Sequence, residues 1–225
     1  MPTKGSGSAT AWQEIDEWEG GTGWIAYPDE DMQRASHALE GEDGLYLVDP
    51  VSFEGIEEFL ADRGEVAGVV LLLDRHKRDA ADLANRFRVP VSVPAFMDDV
   101  ERALDAPVET IGDELPGTGY AVHTVMNNSF WKEAALWDEE TGTLLVPEAV
   151  GTASFFVAGG ERLGVSPALR MTPPKRLRQF DPDRILVGHG PGVFEDASAA
   201  LEEAISGARR RSPRAFANVV RGFLG

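Results

Sequence analysis

The chain has 225 residues, 43% of them hydrophobic, which is enough for one sizeable core. It lacks cysteine, so disulfides, thiolate metal ligands and cysteine nucleophiles are excluded, and no apolar run reaches the roughly 20 residues that span a bilayer. Its 38 Asp and Glu outweigh 21 Lys and Arg to give a net charge of -17, which disfavours nucleic acid and anionic membranes as partners.

Residues 1–10 are small and polar and read as a disordered tail, leaving 11–225 as a single domain. The N-terminus has no apolar core of the secretory kind, so a cytoplasmic location is expected. Trp24, Ile25 and Tyr27 predict a first strand after a Gly-rich turn. "SHALEGEDGLYLVD" predicts two strands joined at "EDG", and Ile56, Phe59 and Leu60 then form one face of a helix. "VAGVVLLL" has the continuous apolar character of a strand covered on both sides. A helix with Ala80, Leu83, Ala84 and Phe87 on one face follows, then the strand "VPVSVP", which together make a parallel crossover. "GYAVHTV" and "EAALWDEETGTLLVPEAV" read as strands joined by tight turns, "EETG" being the clearest. After an irregular, proline- and arginine-containing stretch, "PDRILVGHGPG" gives a strand and glycine loop. A helix with Ala200, Leu201, Ala204 and Ile205 on its apolar face comes next, and "PRAFANVVRGFL" predicts a separate last helix.

Chemistry-bearing residues gather at predicted strand ends, where α/β proteins place their ligands. His76, His123 and His189 occur there, whereas His37 has no recognisable partner and reads as a packing residue. His189 lies between glycines, which permit positive φ and close backbone approach; the plainer alternative is a tight turn with an exposed ring. A phosphate cradle is disfavoured, because no G-x-x-x-x-G-K-[ST] occurs and acidic Glu195 and Asp196 stand at the helix start. Asp49 and Glu148 each end an apolar strand. Carboxylates and imidazoles from separate strand ends are oxygen and nitrogen donors suited to zinc, iron or manganese. Serine chemistry has no G-x-S-x-G to support it, and the basic run "ARRRSPR" reads as a charge cluster complementing the end of a helix.

The order of these features resembles the metallo-β-lactamase superfamily of metal-dependent hydrolases. A hairpin ends in "LYLVDP", an apolar strand runs into "DRHKRD", and "HTV", "GTLLVPEA" and "ILVGHGP" follow in turn. The resemblance implies an αββα four-layer sandwich with two mixed β-sheets, and two metal ions on loops at one edge of them. That family's first motif is His-x-His-x-Asp-His. With Asp79 on its Asp, Arg75 and Lys77 fall on the first two histidines and Ala80 on the last, while Asn127 falls near the next ligand and Glu148 on the bridging Asp. On this reading Asp79, Glu148 and His189 remain as metal donors, with His76 as a possible fourth. The acidic, lysine-poor composition further resembles proteins of salt-accumulating halophiles.

Arginine and lysine cannot ligate a metal as cations. The leading expectation is therefore a metallo-β-lactamase-fold protein with eroded ligands, in which Arg75 and Lys77 replace the metal charge. Such a chain would carry no cofactor and would bind a small molecule or a protein partner; a groove lined by "NNSFWKEAALW" is one candidate surface. The alternative is an active mononuclear hydrolase of a small ester, thioester, lactone or phosphoester, using zinc, manganese or iron, with Asp79 or His76 as base. The aromatics Trp12, Trp18 and Trp24 could either join protomers or cap the sandwich, so oligomeric state stays open.

Overall fold

The computed structural model describes Gly5 and residues 9–224, with side chains as far as Pro213 and at Ala215. The tail expected over residues 1–10 lies largely outside the described residues. Of that segment, the Gly5 N–H donates to Glu30 Oε2 at 2.7 Å and Ala9 is buried.

Seven strands form the first sheet in chain order: β1 (Gln13–Trp18), β2 (Gly21–Ile25), β3 (Ala35–Gly41), β4 (Gly44–Val48), β5 (Val66–Val70), β6 (Val91–Pro94) and β7 (Val108–Ile111). β1 to β4 pair antiparallel and β4 to β7 parallel, so the sheet is mixed. The second sheet has β8 (Ala121–Asn128), β9 (Trp131–Asp138), β10 (Thr143–Val146) and β13 (Arg184–Val187), in the order β13-β10-β9-β8. Here β10 and β13 run parallel and the other pairs antiparallel. A two-residue pair, β11 (Val150–Gly151) and β12 (Gly164–Val165), stands beside it. Helices α1 (Ile56–Ala61) and α2 (Ala80–Phe87) pack with the first sheet, and α3 (Ala197–Leu224) packs against the second.

Side-chain alternation explains the layering. Ala134 and Leu136 on β9, Leu145 on β10 and Leu186 on β13 share a core with the first sheet. Their neighbours Ala135, Leu144, Val146, Ile185 and Val187 face the α3 stripe of Ala197, Ala200, Leu201, Ala204 and Ile205. Successive strand residues point to opposite faces, so both faces of the second sheet are apolar and both must be covered. The result is an αββα sandwich.

Three elements differ from the sequence reading. β1 precedes the expected first strand, and its polar, exposed residues Gln13, Glu14 and Glu17 hid it as an edge strand. β7 is a four-residue edge strand with the same character. The two expected C-terminal helices are one, because helical φ suits proline and α3 continues through Pro213. The N–H missing at Pro213 costs it one bond, and Ser212 Oγ meanwhile donates to the Ala208 carbonyl. Among the described residues no helix is long and apolar enough to cross a membrane.

Candidate functional site

Parallel strands deliver their C-terminal ends to one edge of a sheet. Asp49 follows β4, the 73–79 loop follows β5, Glu148 follows β10 and His189 follows β13. Both parallel pairs open at the same place, so loops distant in sequence meet there.

His76 is the hub. Its Nδ1 lies 3.0 Å from Asp49 Oδ2 and its Nε2 lies 3.0 Å from Glu148 Oε2. Both contacts are hydrogen bonds only when both ring nitrogens carry protons. Asp49 is fixed in turn, for its Oδ1 accepts the Leu72 N–H at 3.0 Å. His189 sits beside this pair with its ring centroid 5.4 Å from that of His76. Its Nδ1 faces the Met32 carbonyl at 2.8 Å, which makes Nδ1 the protonated nitrogen of the neutral ring. Nε2 is then a bare lone pair, buried without a hydrogen-bond partner among the described residues and 3.7 Å from Glu148 Oε2. Burial pushes the His189 imidazole below its ordinary value, helped by the nearby charges of His76 and Arg78. Burial also opposes charge on Glu148, but the His189 and His76 rings prevail and hold its carboxyl well below the usual carboxylate range.

The glycines flanking His189 serve two distinct needs. A Cβ on Gly188 would lie 2.2 Å from the Pro147 carbonyl oxygen, so only glycine lets these segments approach. Gly190 takes φ +88° and donates its N–H to the Gln33 carbonyl.

The fixed cation of the centre is Arg78. Its Nη1 donates to the carbonyls of Ala35 at 2.6 Å and Asp49 at 2.7 Å, and its Nη2 donates to the Gly188 carbonyl at 3.1 Å. Nη2 also stands 3.5 Å from His76 Nε2. The residue as a whole is half-buried, but its head is enclosed and its Nε has no hydrogen-bond partner among the described residues. Burial lowers the guanidinium to about 10, which leaves it charged at neutral pH. Both Asp49 (φ 43°) and Arg78 (φ 41°) adopt the left-handed backbone region, a local strain that the surrounding bonds hold in place.

The other expected residues lie elsewhere. Arg75 is outside the centre, stacked 4.1 Å over the Trp131 ring and 3.7 Å from Glu148 Oε1 with its side chain 42% exposed. Lys77 donates to the Asp74 carbonyl. Asp79 precedes α2 and accepts the Ser52 N–H at 2.8 Å, so its carboxylate faces away from the cluster. His123 packs on Phe180, and His37 is buried against Asp16. The expectation that Arg75 and Lys77 supply the internal charge is thus corrected to Arg78. The left-handed backbone at Arg78 (φ 41°) accompanies the inward turn of its head, while Arg75 stacks on Trp131 at the surface.

Glu133 escaped the sequence reading. Its fully buried carboxylate accepts N–H groups from Glu148 and Ala149, both at 2.8 Å, and the Trp131 Nε1–H at 2.6 Å. It anchors the loop that carries Glu148. Desolvation raises it to about 7, although those three donors pull the other way. Trp131 is its one near neighbour in sequence, and the backbone donors that set its role, Glu148 and Ala149, lie on another strand's exit loop.

No family model matches this sequence and no curated protein matches it. Solved structures do. The structure of the DIM-1 metallo-β-lactamase exposed to ceftazidime aligns over 92% of this chain and 99% of its own, with TM-score 0.62 and 11% identity. The metallo-β-lactamase from Pontibacter korlensis aligns over 88% and 99%, with TM-score 0.64 and 12% identity. The chain has the metallo-β-lactamase fold. TTHA1623 in a di-iron-bound form is also similar, over 75% and 93% with TM-score 0.51 and 18% identity.

Two metal ions, as the fold implies, do not suit these residues. The Arg78 guanidinium stands enclosed beside His76, and Asp79 is engaged with Ser52. A set of three donors does persist, since His76, Glu148 and His189 each offer an atom within 4.8 Å of the others. Two imidazoles and a carboxylate are a known donor set for one zinc ion. Against it stands the fixed charge of Arg78, 3.5 Å from one donor nitrogen.

Proposed function

We propose that this chain is a metallo-β-lactamase-fold protein without the two-metal hydrolytic centre, and that it serves as a binding module for a small molecule or a protein partner. The observation that carries this reading is the Arg78 guanidinium, locked by three backbone carbonyls beside His76. It sets a fixed positive charge beside the Asp49 and Glu148 carboxylates, which the His76 ring bridges. A binding role is supported by what lies beside the centre: the Arg75–Trp131 stack and a Phe130 ring that is 86% exposed. The test is metal content of protein purified without added metal, together with hydrolysis assays on ester, thioester, lactone and phosphoester substrates in the presence of zinc, manganese or iron. The expected result is fewer than two ions and no hydrolysis; two tightly held ions with turnover would overturn the reading.

The second reading, a mononuclear hydrolase, is favoured by His189. Its Nδ1 is spent on Met32 and its Nε2 has no partner, which is how a metal-binding imidazole is commonly oriented. A bound ion would supply a water activated at neutral pH. In this reading His76 is a ligand rather than a base, and Asp79 faces Ser52, so the base would have to be a different group.

A further inference from the structure

We propose that Arg78 is the residue that excludes metal from this centre, and that removing its charge converts His76, Glu148 and His189 into a site for one divalent transition ion such as zinc. The inference deepens the proposed function, on which it rests, by naming what decides the occupant of the site. Three features carry it. First, both imidazoles are already set as ligands. Asp49 holds His76 through Nδ1 and Met32 holds His189 through Nδ1, so both Nε2 atoms converge on Glu148 Oε2. Second, the His189 Nε2 lone pair is buried and unpartnered beside a carboxylate, an arrangement of two acceptors that asks for a cation between them. Third, Arg78 already provides a cation from the side. Its head is tied to β3, to the exit of β4 and to the exit of β13 through Ala35, Asp49 and Gly188, so it cannot turn outward without giving up three hydrogen bonds from a charged donor.

A divalent ion on His76 Nε2 would stand next to this immobile positive charge, and the repulsion would be only weakly screened in an enclosed site. Once the guanidinium is gone, Asp49 and Glu148 lose a counter-charge and the same donors favour the ion. Arg75 does not play this part, because its half-exposed head is screened by solvent and stacked on Trp131.

The experiment is zinc titration of the wild-type chain, Arg78→Met, Arg78→Lys and the double variant Arg78→Met/His189→Ala, read by calorimetry and by the zinc-dependent shift in Tm. Arg78→Met should bind about one equivalent at least ~100-fold more tightly than the wild type and gain Tm with zinc. Arg78→Lys, which keeps a charge, and the double variant, which loses a ligand, should resemble the wild type. Wild-type chain that binds zinc as tightly as Arg78→Met overturns the proposal, as does a folded Arg78→Met that binds none. If Arg78→Met does not fold alone, zinc should restore it, because the ion takes over the lost charge; Arg78→Gln is the parallel case, and failure of both with zinc present also refutes the idea. One ion in the wild-type chain without hydrolysis would sink this inference alone. Two ions with turnover would sink the proposed function as well.

Discussion

Replacing Arg78 by methionine should lower stability by about 3–5 kcal/mol, the range for removing one partner from a buried charged network. The magnitude can be built from the contacts. A hydrogen bond from a charged donor contributes about 1.5–3 kcal/mol, and Arg78 makes three, to Ala35, Asp49 and Gly188. Their sum is an overestimate, because the guanidinium also gave up its hydration on folding and methionine does not bear that cost. Methionine fills the space of the aliphatic stem, so the added cavity is small. Urea unfolding at neutral pH, followed by tryptophan fluorescence, measures the loss. Against a total stability of about 5–15 kcal/mol, the variant should fold but with a clearly lower midpoint. Arg75→Met is the internal comparison. Its exposed ion pair with Glu148 and its stack on Trp131 should together contribute no more than about 1 kcal/mol. Equal losses for the two variants, or a loss below about 1 kcal/mol for Arg78→Met, would refute the assignment of Arg78 as the buried cation.

Glu133 gives a pH prediction. Burial raises its carboxyl from 4.5 to about 7 in the folded chain, so the folded state holds its proton more tightly than the unfolded state does. Its contribution is fully present below about pH 4.5 and is lost as pH rises toward 7, by up to about 3 kcal/mol. Stability curves of wild type and Glu133→Gln across that window should differ in slope, and parallel curves would contradict the assignment. Asp79→Asn removes charge from one hydrogen bond, to the Ser52 N–H, and should cost only about 1 kcal/mol while leaving the fluorescence of Trp131 unchanged. Gly188→Ala forces a Cβ to 2.2 Å from the Pro147 oxygen, a backbone clash that should cost about 1–3 kcal/mol or more and show as a large drop in Tm.

The sequence alone determined much of the frame. Turn glycines at Gly44 and Gly142 sit where "EDG" and "EETG" predicted hairpins, at φ 133° and 61°. Alternation along β9 and β10 and the helical stripe of α3 encode layers directly, because burial follows a period of two or 3.6 residues. Glu148 and His189 could be picked out because each follows a strand by two residues, at an edge the parallel pairing shares. The loop from Asp74 to Asp79 has no such period. Which of its six side chains turn inward is set by the left-handed backbone at Arg78 and by carbonyls of Ala35, Asp49 and Gly188, which lie far off in sequence. Only the meeting of two sheets could decide that Arg78 enters the cluster while Arg75 stays on the surface. Local pattern fixes which residues are apolar; the partner of a buried charge is fixed by contacts across the fold.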